Sequence, residues 1–557
     1  MPARFSRGGL VPRRGDFERA GIPIAASRPV NRRERALVPS GARGNDTIAP
    51  VAHNSGLRRL EAGALITAAL AYFAISCGIA QVRLLWHDEI FTRQVAQFGS
   101  WNRITAALHH GIDLQPPFFY WMTAWTSSIG GEEIGLRLPA ISGFTFAGVA
   151  LYLVARRWFS PGYAIGAALT PAIFFFGALG MEARPYGFVM GCAALALLGW
   201  TFRDRWPRGG TIGYLAGMLG AAATHYYGFL IAAPFGAAAA WTLFRRRRWD
   251  LWTLGGCVCA ALPDLWNLRL IRDGIALYKN GWWIRPSWRA LANSIYGGSL
   301  AVLCAVLLIF AFSRGRRKEA FFDEGSPSGE SLACWAGFSA IPILAMFLAR
   351  ATSGMFVLRY FSMFSLGYAL LAAFAVERSV NRSRWFGYAV GCGAVVVFAS
   401  VAVANERRFE TEREVISALC DHFADLTERT EFRDSSFLVG DAHVALQLAL
   451  YCDDIHDKLV FAPDPPLALA YVGTDATNKA MLFLRENPPL RIEPLDEFLN
   501  AQRSKLLIYH SQPSFLRDYL FHDQAYAARI HLLEAGSTAA IYVMDPAPAA
   551  GARGGEK

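Results

Sequence analysis

Trp86-His87-Asp88-Glu89, just beyond an apolar run over 60–80, decides how this chain is read, together with His109-His110-Gly111-Ile112-Asp113-Leu114-Gln115-Pro116-Pro117 one helix later. The run at 60–80 is long enough to cross a bilayer, which takes about 20 apolar residues. Ionisable residues gathered at the mouth of a membrane span are costly unless they serve function. Working outward, most of the first 404 residues are apolar and helical in pattern. Further spans are predicted near 136–155, 161–181, 186–202, two short ones within 211–244 split at His225-Tyr226, 251–270, 291–313, 331–349, 357–376 and 385–404. That makes eleven.

Composition agrees. Of 557 residues, 54% are hydrophobic and 18% charged, with a positive mean hydropathy, too apolar for an ordinary soluble enzyme. The net charge of +11 conceals an asymmetry, because residues 405–557 hold 24 acidic and 15 basic side chains, a net of −9. Subtracting these from the totals of 44 and 55 leaves residues 1–404 with 20 acidic and 40 basic, a net of +20. The basic excess falls in runs between apolar segments, such as Arg245-Arg246-Arg247-Arg248 and Arg314 to Lys318. Such runs mark cytoplasmic loops rather than nucleic-acid binding. One orientation satisfies every strong run: N-terminus cytoplasmic, C-terminus outside, in the plasma (inner) membrane. The loops 81–135, 182–185, 225–227, 271–290 and 350–356 then share the non-cytoplasmic face, and with them Asp88, Glu89, Asp113, Glu182, Arg184, His225, Lys279, Arg285, Arg350 and Arg359.

Three domains are expected: a disordered basic cytoplasmic tail over 1–57, a transmembrane domain over 58–404, and a small outward-facing α/β domain over 405–557. Loop 81–135 of the second carries the acids, with an amphipathic interfacial helix through Phe91, Val95, Phe98, Trp101, Ile104 and Leu108. The third should hold a charged helix near 408–428, a helix near 442–452, and strands near 437–439, 459–462, 505–509 and 538–544. It has neither a GxGxxG nor a GxxxxGK[ST] fingerprint. Seven of nine cysteines lie in apolar segments; only Cys420 and Cys452 lie in the polar part, where an oxidising compartment would let them pair.

A site on the outer face has no access to cytosolic nucleotide sugars or ATP, so an activated substrate must arrive through the bilayer, carried on lipid phosphate. Transfer of a sugar from such a carrier needs a carboxylate to take the acceptor's proton. It also needs cations to hold the departing phosphate. Asp88 suits the first role, Arg184 and Arg359 the second.

The segments Trp86–Glu89, Asp113–Pro117, Leu136-Arg137-Leu138-Pro139, Glu182-Ala183-Arg184-Pro185-Tyr186 and Arg359-Tyr360, in this order, resemble the successive signatures of integral-membrane glycosyltransferases of the GT-C fold. The group they resemble is the family 39-like one, with the protein O-mannosyltransferases and the aminoarabinose transferases of lipid A. The resemblance implies inverting transfer from a polyprenyl-phosphate sugar to a hydroxyl-bearing glycan, lipid or protein. It implies Asp88 as base, Glu89 orienting the acceptor or a neighbouring group, and Asp113 as a further acid of the site. Arg184, Arg359 and Tyr360, with His225, would lie near the donor phosphate or substrate.

His87, His109, His110 and His225 are residue types that hold divalent metals, but their spacing fits no established metal pattern. No metal ligand set is assigned, and a divalent metal is left open. The rival classes are a transporter or flippase of lipid-linked sugar and a non-catalytic envelope assembly protein. A transporter would place its ionisable groups near the bilayer midplane, often in repeated halves; here they gather at the outer ends of spans.

Overall fold

The computed structural model describes residues 55–173, 179–278, 286–292, 326–352, 355–380, 382–485, 490–510, 514–536 and 539–546. Residues 1–59 and 60–557 separate as two units, and of the first only the opening turn of helix α1 is described. The basic tail, the span near 291–313, Lys279 and Arg285 thus fall wholly or mainly outside the described residues.

The apolar runs are helices: α1 (Ser55–Val82), α5 (Glu132–Ala155), α6 (Pro161–Pro171), α7 (Tyr186–Thr201), α8 (Pro207–Thr224), α9 (Ala232–Arg246), α10 (Leu251–Trp266), α13 (Gly329–Ala351), α14 (Phe364–Ser379) and α15 (Arg384–Glu428). Between α1 and α5 lie α2 (His87–Gln97), α3 (Trp101–His109) and α4 (Pro117–Gly130), and after α10 come α11 (Leu268–Tyr278) and the single turn α12 (Trp288–Leu291). By length and composition, five helical stretches among the described residues can cross a membrane: Arg59–Val82, Glu132–Ala155, Tyr226–Arg246, Gly329–Ala351 and Arg384–Glu428. The amphipathic stretch 91–108 is two helices rather than one. It breaks at Gly99, whose φ of 69° is open to glycine and strained for other residues.

Helices α5 and α7 meet backbone to backbone. A Cβ on Gly143 would lie 2.5 Å from the Phe188 Cα, and one on Gly191 would lie 2.6 Å from the Gly143 carbonyl oxygen. Small residues allow such approach where lipid offers no hydrophobic drive between helices. The contact fixes the turn 182–185, which leads into α7, against the start of α5.

The charged helix expected near 408–428 is not separate. It continues the last apolar segment as one 45-residue helix, α15, about 68 Å long at 1.5 Å per residue. No Gly or Pro interrupts the chain between Gly393 and Glu428, and a helix needs only its own backbone hydrogen bonds to run from an apolar setting into a polar one.

Beyond it six strands form one sheet: β1 (Ser436–Val439), β2 (Leu459–Phe461), β3 (Arg491–Ile492), β4 (Leu506–His510), β5 (Ile530–Ala535) and β6 (Ala540–Met544), in the order β3-β2-β1-β4-β6-β5. The pairs β1–β2, β1–β4 and β2–β3 are parallel, while β4–β6 and β5–β6 are antiparallel. Alternation along β1 and β4 sends Leu438, Leu506 and Ile508 into one core. Phe437, Val439, Leu507 and Tyr509 point into another. That second core is shared with Phe423 and Leu426 of α15, with Leu446 of helix α16 (Ala442–Tyr451), and with Leu85, Ile90 and Phe91 of the outer loop. Cys420 and Cys452 form a disulfide with a Cα–Cα distance of 5.2 Å, tying α15 to the end of α16.

Candidate active site

Trp86 is the extended N-cap of α2, so Asp88 and Glu89 fall in its first turn, where the helix dipole favours anions. Their side chains diverge. The Glu89 carboxylate is buried against Arg137 of α5: Arg137 Nε donates to Oε1 at 2.8 Å and Nη2 to Oε2 at 2.9 Å. Oε1 also accepts from the Ala183 amide at 2.6 Å, and Oε2 from the Trp86 amide at 3.3 Å. Arg137 further donates to the carbonyls of Ala80, Arg83 and Leu84 at the end of α1. Burial alone would raise the Glu89 carboxyl, but Arg137, Arg83 and these hydrogen bonds bring it below its usual range. Beside the pair, Arg83 Nη2 donates to Glu182 at 2.9 Å. Burial dominates there and raises the Glu182 carboxyl.

Asp88 faces the other way. Its Oδ2 accepts from Arg359 Nη2 at 2.7 Å and lies 3.9 Å from Arg184 Nε, while Oδ1 is 3.1 Å from His87 Nε2. Burial pushes this carboxyl up. Arg184, His87 and Arg359 together outweigh it and hold the group well below the usual carboxylate range. Arg184, in the turn before α7, also grips both oxygens of Asp113 and donates to Thr92 Oγ1 at 3.1 Å. Asp113 Oδ1 accepts in addition from the adjacent Leu114 amide at 2.7 Å, just ahead of Pro116-Pro117. Arg359 lies on the 3₁₀ turn Leu358–Phe361, with its guanidinium 5.0 Å from the ring of Trp86, 5.8 Å from Tyr186 and 6.0 Å from Tyr360. Tyr360 stacks on Tyr186 and Tyr227. His225, 5.0 Å from Tyr360 ring to ring, accepts the Tyr227 amide at Nδ1.

The residues singled out from sequence therefore gather from four separate loops. What marks the place as a site is unspent polarity. Trp86 Nε1, His225 Nε2 and Arg359 Nε are buried without a hydrogen-bond partner among the described residues. Buried polar atoms are normally satisfied, so these three leave hydrogen-bonding capacity open in the cluster that holds Asp88.

The four histidines do not converge. His87 stacks on His443, His109 pairs with Asp273 at 2.8 Å, His110 is exposed and His225 sits among tyrosines. Among the described residues no three His, Cys, Asp or Glu side chains are grouped to hold a metal. Arg137 stood in a quoted signature without a role of its own, and His443 was not singled out. Arg137 had a signal, a charge at the start of an apolar run; His443, some 350 residues away, had none.

No family's sequence profile matches the chain, and a search of curated proteins finds no relative. Solved structures do match. ArnT from Cupriavidus metallidurans in the apo state superposes with a TM-score of 0.54 at 13% identity, over 88% of this chain and 98% of that one. The same protein bound to undecaprenyl phosphate gives 0.51 at 13% identity, with the same coverage. The fold is GT-C. With its long apolar helices, the chain is a multi-pass membrane protein of that architecture, carrying a C-terminal sheet domain.

Proposed function

We propose that the protein is an inverting glycosyltransferase that moves a sugar from a polyprenyl-phosphate donor to a hydroxyl of a glycan, lipid or protein on the non-cytoplasmic face. The observation that carries the reading is one buried carboxylate, Asp88, held between two arginines, of which Arg359 keeps a buried Nε with no hydrogen-bond partner among the described residues. ArnT, of like fold, is known in a form bound to undecaprenyl phosphate. The Cys420–Cys452 disulfide suits an oxidising compartment for the C-terminal domain.

In this reading Asp88 is the base. Gripped by Arg359 and Arg184 it is a weak one, because its charge is already neutralised. A phosphate presents more negative oxygen to the same guanidiniums and draws them away. The donor thereby releases the carboxylate that the reaction needs, while Arg184 and Arg359 hold the phosphate as charge develops on it. The acceptor oxygen bonds to the anomeric carbon, the carbon–phosphate oxygen bond breaks with its electron pair leaving on phosphate, and Asp88 takes the acceptor's proton. Tyr360, Tyr186 and His225 line the approach; Asp113 steadies Arg184. Glu89 is a positioning residue, joining α1, α2, α5 and the turn at Ala183 through Arg137.

The test uses purified full-length protein in nanodiscs, a panel of undecaprenyl-phosphate hexoses and pentoses, and an envelope extract as acceptor. Release of undecaprenyl phosphate with sugar appearing on the acceptor is expected for at least one donor. Absence of release across the panel, in protein shown to be folded, would reject the reading.

A further inference from the structure

The C-terminal domain has no part in the chemistry above, yet one of its helices lies against the segment that carries the base. On α16, His443, Gln447 and Tyr451 recur at four-residue intervals and so share one helix face. All three touch residues 85–87. Tyr451 Oη accepts from the Leu85 amide at 2.8 Å, and Gln447 Nε2 donates to the Leu85 carbonyl at 3.3 Å. The two backbone groups of Leu85, which is itself buried, are therefore both satisfied by α16. At the other end of the stripe, the His443 ring stacks on His87 with centroids 3.6 Å apart and planes 28° from parallel, and Trp86 closes on His87 edge-on at 4.5 Å. His87 Nε2 in turn meets Asp88 Oδ1 at 3.1 Å. His443 is itself anchored, since Asp441 caps α16 by accepting the His443 amide at 2.9 Å and lies 3.5 Å from its ring nitrogen. The disulfide closes immediately after Tyr451, fixing this end of α16 to α15.

We propose that the C-terminal domain is a working part of the reaction centre: the stripe His443–Gln447–Tyr451 positions the segment 85–88 and, through the His87 ring, fixes the carboxylate of Asp88. This rests on the transferase reading for its kinetic consequence, but the contact itself does not. Two arginines pull Asp88 Oδ2 toward the far side of the site. His87 holds Oδ1, and His443, stacked on one face of that imidazole while Trp86 meets it edge-on, keeps it from turning away. Burial and the neighbouring His87 push the His443 imidazole down to about 4, so it remains neutral beside its partner near neutral pH. Two stacked imidazoles do not then repel as like charges. His87, His443, Gln447 and Tyr451 act through Asp88 and are positioning residues.

The experiment compares wild type, His443→Ala and His443→Phe as full-length protein in nanodiscs, with whichever undecaprenyl-phosphate sugar the wild type turns over. His443→Ala should lower kcat about ten- to a hundredfold, the scale of a misplaced reacting group. The donor KM and the affinity for undecaprenyl phosphate should stay unchanged. His443→Phe keeps a flat ring on His87 and should restore most of kcat. Wild-type kcat in His443→Ala would overturn the proposal. So would an equal fall in both variants, or a fall accompanied by loss of undecaprenyl phosphate binding, since either describes a domain that merely supports folding. A second arm needs no substrate. In histidine-labelled protein the His87 ring signals, assigned by their disappearance in His87→Gln, should move in His443→Ala and in Asp88→Asn. If they move in neither, the link is absent. If wild type neither turns over a donor nor binds undecaprenyl phosphate, the transferase reading fails while this arm still decides the coupling.

Discussion

Asp88 and Glu89 are adjacent in sequence, share the first turn of one helix and each face arginine, yet they are opposite kinds of carboxylate. Glu89 is fully spent. Both of its oxygens accept two hydrogen bonds, its partner Arg137 is equally buried, and the pair binds the ends of three helices and one turn into a single block. Asp88 is only lent. It accepts one short hydrogen bond from Arg359 and only a loose ion pair from the Arg184 Nε, while Arg359 Nε and Trp86 Nε1 are buried without a hydrogen-bond partner among the described residues. Saturation makes a structural pair and incompleteness makes a site. Charge and burial alone do not separate the two, since both carboxyls are lowered against the effect of burial.

The comparison is open to attack at several points. Glu89→Leu leaves Arg137 as a buried, uncompensated cation and should cost about 3–5 kcal/mol of stability, seen as a large fall in thermal midpoint in detergent. The double change Glu89→Leu with Arg137→Leu should recover most of it. Asp88→Asn should leave stability close to wild type while lowering transfer by about a hundredfold or more. If the midpoint fell as far as in Glu89→Leu, the two carboxylates would not differ in kind. The same Asp88→Asn protein should bind undecaprenyl phosphate about tenfold tighter, because the ligand no longer competes with a carboxylate for Arg359. Arg359→Gln should weaken that binding by a similar factor, as followed by native mass spectrometry. Acid offers a smaller probe. The Glu89 carboxyl is lowered in the folded protein, so its contribution to stability is present in full above its ordinary unfolded value of about 4.3 and is lost as pH falls further. The stability gap between wild type and Glu89→Gln should therefore hold down to about pH 5 and narrow below it. Smallest of all, Arg93→Ala removes a pair with the half-exposed Glu132 and should change stability by less than about 1 kcal/mol.

Much of this was legible in the residues. Apolar runs of span length are a strong signal: most of their described residues are helical, and five helices are long and apolar enough to cross a membrane. The strands at the centre of the sheet, Phe437-Leu438-Val439 and Leu506-Leu507-Ile508, are continuous apolar runs because a parallel sheet buries both of their faces. β3 and β5 were missed. One spans only Arg491–Ile492, and the other, Ile530–Ala535, is an edge strand in which His531 and Leu532 are exposed and only Ile530 is buried. The acids and arginines that the structure brings together around Asp88 were visible as charges beside apolar spans. The resemblance set Asp88 and Glu89 apart in role, but the burial of Glu89 against Arg137 was not visible, since it depends on where the start of α5 packs. His443 was invisible for the same reason: nothing along the chain says which loop a distant helix will meet.

The 45-residue α15 has a mechanical consequence. Rooted among apolar residues at one end and joined by the disulfide to α16 at the other, it is a stiff shaft that sets both the height and the bearing of the domain it carries. Each residue along such a shaft advances about 1.5 Å and turns about 100°. Length in its polar half is therefore quantised. A change of one or two residues would swing the domain round the axis, whereas a change of seven, close to two whole turns, would nearly preserve its bearing and alter only its elevation.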